Sequence, residues 1–281
     1  MKGKKILAVI FLALLVLYIG YDIGLSKNPA VIEAIDNTVA SLQAAGNPAA
    51  NFLANFLRLL LRYSSFYTEG VRNTIMLAIL ALILGTVLGT LMALMRISGI
   101  KPLQAFATTY IEIFRGTPMM VQLLFIFYGT PLSSIIPNIN VPFLTDFPRM
   151  MTCVIVMSLN SCAYVAEVIR SGIQAVDGGQ MEAANSLGFS RGQAMRLVVL
   201  PQAIRNILPA LGNEFITVIK ESSIVIYVGV ADLMYRAKGV TAKTYVTLES
   251  YLIAALLYFI LTFCMSTLVG IVERRMKRGR R

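Results

Sequence analysis

The sequence predicts an all-α membrane protein that crosses the bilayer six times, and three observations predict it. Of 281 residues, 57% are hydrophobic and 14% charged, with a mean hydropathy of +0.73. Six apolar runs approach the length of about 20 residues that a helix needs to cross a hydrocarbon core about 30 Å thick. The basic residues crowd one side of those runs. A soluble domain carries about 25% charged residues, so a soluble enzyme is excluded at the outset. Histidine is absent, which removes His-based triads, imidazole proton shuttles and His metal ligation. Cys153, Cys162 and Cys264 lie in apolar stretches without C-x-x-C spacing, as thiols that fill space do.

The first run, Ile6 to Leu25, follows Lys2, Lys4 and Lys5. No Ala-x-Ala site comes after it, so a retained anchor is expected rather than a cleaved signal. Next, Phe52, Phe56, Leu59, Leu60 and Tyr63 recur at helical spacing with Arg58 and Arg62 on another face. This is an amphipathic helix, lying on the outer membrane surface or packed on the bundle. The second run, Thr74 to Met95, carries Ala81, Gly85, Gly89 and Ala93 at fourfold spacing, a smooth ridge that another helix can approach closely. That partner belongs either to the same bundle or to a second chain.

The third run, Leu103 to about Tyr128, is interrupted by Glu112, Arg115, Pro118 and Gln122. Gly116 and Pro118 there are expected to free backbone groups toward a cavity. The fourth, fifth and sixth runs are about Met150 to Ile169, Ile207 to Val228 and Tyr251 to Val272. Six crossings put both termini on one side. With the termini inside, the inner segments hold fifteen of the 25 basic residues: Lys2, Lys4, Lys5, Arg96, Lys101, Arg170, Arg191, Arg196, Arg205, Arg274, Arg275, Lys277, Arg278, Arg280 and Arg281. The outer segments hold Lys27, Arg58, Arg62, Arg72, Arg149, Arg236, Lys238 and Lys243. Positive charge marks the cytoplasmic side, so both termini are expected there, and the net charge of +11 reports orientation and not nucleic acid.

The connection from Ser171 to Asn206 is far longer than two antiparallel helices need. Gln180 to Leu187 is helix-forming, Gly188 can supply a left-handed stop, and Ser190 with Gln193 makes a capping box for a second helix. Ala194, Leu197 and Val198 give that second helix an apolar face, and Pro201 is expected to end it. Such a hairpin fits either a groove in a soluble partner or the membrane surface.

Glu182-Ala183-Ala184, Gly188, Val198 and Leu200-Pro201 resemble the EAA motif of permeases of bacterial ABC importers, with Val198 where isoleucine is usual. The segments 110–118, 163–170 and 213–223, with Gly179-Gln180, are similar to the branch that imports polar amino acids. The resemblance covers roughly Tyr67 to Arg275. It implies a MetI-like (type I importer) five-helix core in the bacterial cytoplasmic membrane, with one extra N-terminal helix here. The implied divisions are an anchor at 1–27, an extracytoplasmic segment at 28–66, a permease core at 67–275 with a coupling loop at 171–206, and a basic tail at 276–281.

The resemblance further implies that Glu182, Ala183, Ala184, Gly188, Leu200 and Pro201 couple to a cytoplasmic ABC ATPase dimer. An extracytoplasmic amino acid binding protein would deliver solute, and a second permease chain, identical or not, would complete the path. No G-x-x-x-x-G-K-[ST] loop occurs, so no cofactor is expected in this chain; ATP and Mg would be bound by the ATPase. The solute path is expected where polar groups sit at membrane depth: Glu112, Arg115, Thr117, Gln122, Glu167, Lys220, Glu221, Ser222 and Ser223. Lys220 lies about 16 Å along its helix from Pro209, near the midplane. It either faces the path or pairs with Glu112 or Glu167. A zwitterion needs one cationic and one anionic partner, which Arg115 or Lys220 and Glu112, Glu167 or Glu221 would supply. A rival is an ion-coupled secondary transporter, but no repeated halves are visible. A membrane-embedded enzyme would have Glu112 and Glu167 and little else to work with.

Overall fold

The computed structural model describes residues 2–141 and 146–278, and no strand occurs among them. Thirteen α-helices follow in order: α1 Lys2–Gly24, α2 Pro29–Ala44, α3 Pro48–Arg62, α4 Ser64–Ile97, α5 Lys101–Gly116, α6 Met119–Gly129, α7 Leu132–Ile135, α8 Phe147–Gln174, α9 Gly178–Ser186, α10 Arg191–Ala194, α11 Leu200–Glu221, α12 Leu233–Thr244 and α13 Thr247–Arg278. A π-helical turn, Met195–Val199, precedes α11, and a 3-10 stretch, Ser222–Val228, follows it.

Among the described residues α1, α4, α8 and α13 are long and apolar enough to span a membrane, and α5 with α6 makes a fifth span if the bent pair is counted as one. Five of the six expected runs are thus long and apolar enough to span. The sixth run, Ile207 to Val228, is helical as α11 and the 3-10 stretch, but Arg205, Glu214, Lys220 and Glu221 make α11 more polar than the other five. The segment after α1 forms two helices, α2 and α3, and α3 is the amphipathic helix expected around Phe52 to Tyr63. Asn28 and Asn47 cap them, each just ahead of a proline at the first turn.

The chain forms two compact units. The first comprises Met1–Leu77, Asn138–Met150 and Ile219–Thr267. Its core gathers Leu59, Tyr67, Val71, Leu233, Val240 and Ile253. α1 is fastened to it along its length. Phe11 packs edge-on against Phe259 and Phe263 at 5.8 and 5.4 Å, Tyr18 donates to the Leu60 carbonyl at 2.8 Å, and Asp22 accepts from Ser64 and Thr68 at 2.7 and 2.6 Å. α4 approaches α12 so closely that a Cβ on Gly70 would stand 2.7 Å from the Leu233 Cα. Any larger residue there must push backbone.

The second unit comprises Ala78–Pro137, Met151–Val218 and Leu268–Arg281. The small-residue ridge of α4 is used here. A Cβ on Gly85 would stand 2.9 Å from Ser161 Cβ, and one on Gly89 2.8 Å from the Cys162 carbonyl and Val165. Ala93 is buried with Ile111, Ala163 and Ala166. Helices associating in lipid gain little from apolar transfer, so backbone proximity of this kind carries their van der Waals contact. The ridge thus meets α8 of its own chain. The other face of α4, with Ile83, Val87, Leu91 and Leu94, is exposed and apolar.

Candidate functional site

The segment 171–206 is built as its residues dictate. Asp177 caps α9 by accepting from the Gly179 amide at 2.7 Å. At the other end Gly188 sits at φ +87°, a left-handed conformation that only glycine adopts without strain. Its N–H bonds Asn185 O, and the next N–H, of Phe189, bonds Ala184 O. This is a Schellman stop. The capping box at Ser190 and Gln193 is present in both directions. Glu182 and Ala183 are exposed, Ala184 is buried, and Glu182 makes no ion pair among the described residues. Leu187 is 78% exposed and Leu197 60% exposed, so the tip of the hairpin presents apolar side chains outward.

Pro201 does not end the second helix, as its residue type suggested. It is the second residue of α11, and the preceding turn widens to π geometry, with the Leu200 N–H bonding Met195 O five residues back. The wider turn relieves the clash a proline ring makes with the carbonyl four residues behind it. Gln202 donates to Gln180 at 3.1 Å, so α9 and α11 are tied directly.

The interrupted third run breaks at Thr117–Pro118, where α5 and α6 bend by 104°. Two of the freed carbonyls are met by a side chain. The Gln122 amide nitrogen lies 2.8 Å from Phe114 O, 3.0 Å from Thr117 O and 2.8 Å from the Thr117 hydroxyl. Its oxygen accepts from Asn160 at 2.9 Å, and Asn160 also reaches Phe114 O at 3.5 Å. Gln122 and Asn160 are both buried. The unmet carbonyls of the break are therefore satisfied by two side-chain amides.

Glu167 collects three arginines from three helices. Arg96 of α4 lies 2.6 Å from it, Arg115 of α5 3.9 Å, and Arg170, one turn on in α8, makes a two-pronged contact. Arg115 also stands 5.6 Å from the Tyr164 ring centroid. One carboxylate among three guanidiniums leaves an excess of two positive charges. Glu112, also on α5, is exposed and makes no ion pair among the described residues.

In α11, Lys220 is exposed and without an ion pair among the described residues, and Glu221 is half-buried. The Ser222 and Ser223 hydroxyls donate to the carbonyls of Ile219 and Lys220, both at 2.8 Å, where the α-helix gives way to the 3-10 stretch. That stretch ends at Gly229, φ +77°. It leads into a buried group that sequence reasoning missed. Asp232 is fully buried, caps α12 by accepting from the Tyr235 N–H at 2.8 Å, and accepts from the Tyr258 hydroxyl at 2.9 Å. Thr74 and Ser222 neighbour the same hydroxyl. Burial pushes the Asp232 carboxyl up to about 7, against the pull of these hydrogen bonds. The only signal in the sequence was an ordinary N-cap aspartate.

Of the expected path residues, the structure thus brings together Arg115 with Glu167 and Thr117 with Gln122, and it sets Lys220 to Ser223 in one turn. Glu112 stands apart from these contacts.

Residues 85–278 match the family described as binding-protein-dependent transport system inner membrane component. The chain belongs to that family. It is 41% identical over 186 residues to the arginine transport system permease protein ArtQ of Bacillus subtilis, covering 66% of this chain and 81% of that one. It is 42% identical over 185 residues to a putative glutamine transport system permease protein, GlnP, of Rickettsia bellii, with the same coverage. A crystal structure of an amino acid ABC transporter with histidines superposes with a TM-score of 0.69 at 46% identity, over 77% of this chain and 96% of that chain. The MetNI methionine ABC transporter shares the fold, with a TM-score of 0.56 at 18% identity over 74% of this chain and 96% of that one. The protein is a multi-pass membrane permease of an ABC importer and not an enzyme; ATP hydrolysis in this family belongs to a separate ATPase subunit. The secondary-transporter alternative is thereby set aside.

Proposed function

We propose that this permease forms the translocation path for polar amino acids and takes its power stroke through α9. The relatives named for arginine and glutamine support the substrate class. The observation that carries the path is the exposure of two ionisable side chains, Glu112 on α5 and Lys220 on α11. Charge at membrane depth is costly unless it faces water or a solute. Lys220 or Arg115 then receives the solute carboxylate. Glu112 or Glu221 receives the ammonium, in preference to Glu167, which three arginines already occupy. Thr117, Ser222 and Ser223 supply neutral contacts along the path, and Gln122 holds its wall.

In this reading both termini are cytoplasmic, which the distribution of lysine and arginine supports. Glu182, Ala183, Ala184 and Gly188 seat in a cleft of each ATPase of a dimer, with Leu200 and Pro201 leading the motion into α11. The outward-facing Leu187 and Leu197 support that seating, since a solvated hairpin has no use for them. A binding protein delivers the solute from outside, and a second permease chain completes the pore. ATP and Mg stay on the ATPase.

Uptake of labelled arginine and glutamine into proteoliposomes holding the full transporter tests the proposal. Glu182→Lys and Gly188→Asp are expected to abolish uptake while the protein still inserts and co-purifies with its second permease chain. Normal uptake by either variant overturns the coupling assignment. Unchanged KM and rate in both Lys220→Met and Glu112→Gln remove those residues from the path.

A further inference from the structure

The path proposed above ends where α11 loses its α-helical pitch, and what holds that point is not the coupling loop. Lys220 and Glu221 are the last residues of α11, and Ser222 begins the 3-10 stretch. Ser222 is fully buried, and its oxygen faces the Tyr258 hydroxyl. Tyr258 in turn donates to Asp232, ten residues beyond Ser222 in the chain. The loop that returns from the 3-10 stretch is pinned on its other side by α4: Asn73 donates to Ala231 O at 2.8 Å, and Thr74 accepts from the Leu233 N–H at 3.2 Å. The returning loop is thus held from two sides, by α4 at Ala231 and Leu233 and by Tyr258 of α13 at Asp232.

We propose that Asp232 and Tyr258 are positioning residues for the solute path: the direction in which the Tyr258 hydroxyl points sets the placement of Ser222 and, through it, of Lys220 and Glu221. This rests on the path reading given above. The geometry supplies two arrangements. With Asp232 ionised, Tyr258 donates to it, as seen. With Asp232 protonated, the carboxylic acid donates to the Tyr258 oxygen, and the tyrosine proton turns to Ser222 or Thr74, whose oxygens can accept. Proton and donors balance in both.

The groups facing Asp232 are the Tyr258 hydroxyl from α13 and the backbone N–H groups of Met234 and Tyr235. Thr74 of α4 and Ser222 face the tyrosine. The charge that borders the returning loop is Arg149, whose guanidinium would stand 3.2 Å from a Cβ on Gly229 and which is paired with Asp146. No cation pairs with Asp232 among the described residues. Burial raises its carboxyl toward neutrality, which brings the protonated arrangement within reach as pH falls.

The test uses the complete transporter, with ATPase and binding protein, in proteoliposomes. A cysteine at position 223, introduced by Ser223→Cys into a background lacking Cys153, Cys162 and Cys264, is labelled with a water-soluble maleimide between pH 6 and 8, and the rate is corrected for thiolate fraction. The corrected rate is expected to change at least threefold across that range. Asp232→Asn, which still caps α12, is expected to flatten the profile, and Tyr258→Phe to flatten it and raise the KM for uptake at least fivefold. Asp232→Glu is expected to restore the pH response. A corrected rate independent of pH in the parent protein overturns the proposal without any variant having to fold. So does an Asp232→Asn profile that follows the parent. A failure of the path reading is told apart by Lys220→Met: unchanged KM there, with the pH response intact, leaves the relay standing and removes only its link to solute.

Discussion

Two helices of this permease break within the bundle, and they are held by opposite chemistry. At Thr117–Pro118 the break is sharp, 104°, and its loose carbonyls are gripped by Gln122 and Asn160, two amides that carry no charge at any pH. At Glu221–Ser222 the chain does not turn but tightens, and its support runs through Ser222 and Tyr258 to a buried carboxyl. The first break is a fixed elbow. The second can exist in two hydrogen-bonded states with one set of side chains. Backbone polar groups must be satisfied in both; what differs is whether the satisfying group can change its donor count.

Substitution at the elbow should have the largest effect. Gln122→Leu keeps the volume and removes the amide that reaches Phe114 O and Thr117 O. A buried carbonyl left without a donor costs about 1–3 kcal/mol, so thermal unfolding in detergent is expected to fall by several degrees and uptake to collapse, equally at pH 6 and pH 8. Asn160→Ala leaves Gln122 in place but orphans its oxygen, at a net loss of about 1 kcal/mol. Its unfolding temperature should fall less than that of Gln122→Leu, again without pH dependence. A pH-dependent loss in either variant would erase the contrast with the second break.

The effect expected at Asp232 is of another kind, a dependence on pH. Its carboxyl, ordinarily near 3.8, is raised to about 7. Between those values the folded protein holds a proton that the unfolded chain has lost. The group therefore contributes stability that is complete below about pH 4 and disappears as pH rises through 7. Unfolding of the parent protein should grow easier from pH 5 to pH 8, relative to Asp232→Asn. Parallel curves for the two proteins would show that the carboxyl titrates elsewhere.

Much of the elbow was legible. Gly116-Thr117-Pro118 inside an apolar run announces an interruption, and Gln122 stands out as a polar residue where none is needed. Its bonds to Phe114 O and Thr117 O were not legible, because the sequence does not say which carbonyl a freed amide will meet. Asn160 gave no signal; it is one amide in a helix distant in the chain. The second break showed Lys220 to Ser223 plainly and hid its support, since nothing in the spacing of Asp232 and Tyr258 says that they meet. The coupling hairpin was the most readable region, because Gly188 and the Ser190–Gln193 box act locally. Only the π turn before Pro201 escaped, as its widening depends on the helix it joins.

Glycine contacts bear on how motion would travel. In the second unit α8 meets α4 at Gly85 and Gly89, α11 meets α8 where a Cβ on Gly172 would stand 2.4 Å from Ile207, and α13 meets α11 where one on Gly212 would stand 2.5 Å from Val269. At each contact a glycine backbone lies directly against a neighbouring helix, its backbone or a branched side chain such as Val165, Ile207 or Val269. Packed interiors compress little, and joints of this kind leave less slack still. A displacement delivered to α9 would reach α13 as a shift of whole helices, like a lever with no play at its pivots.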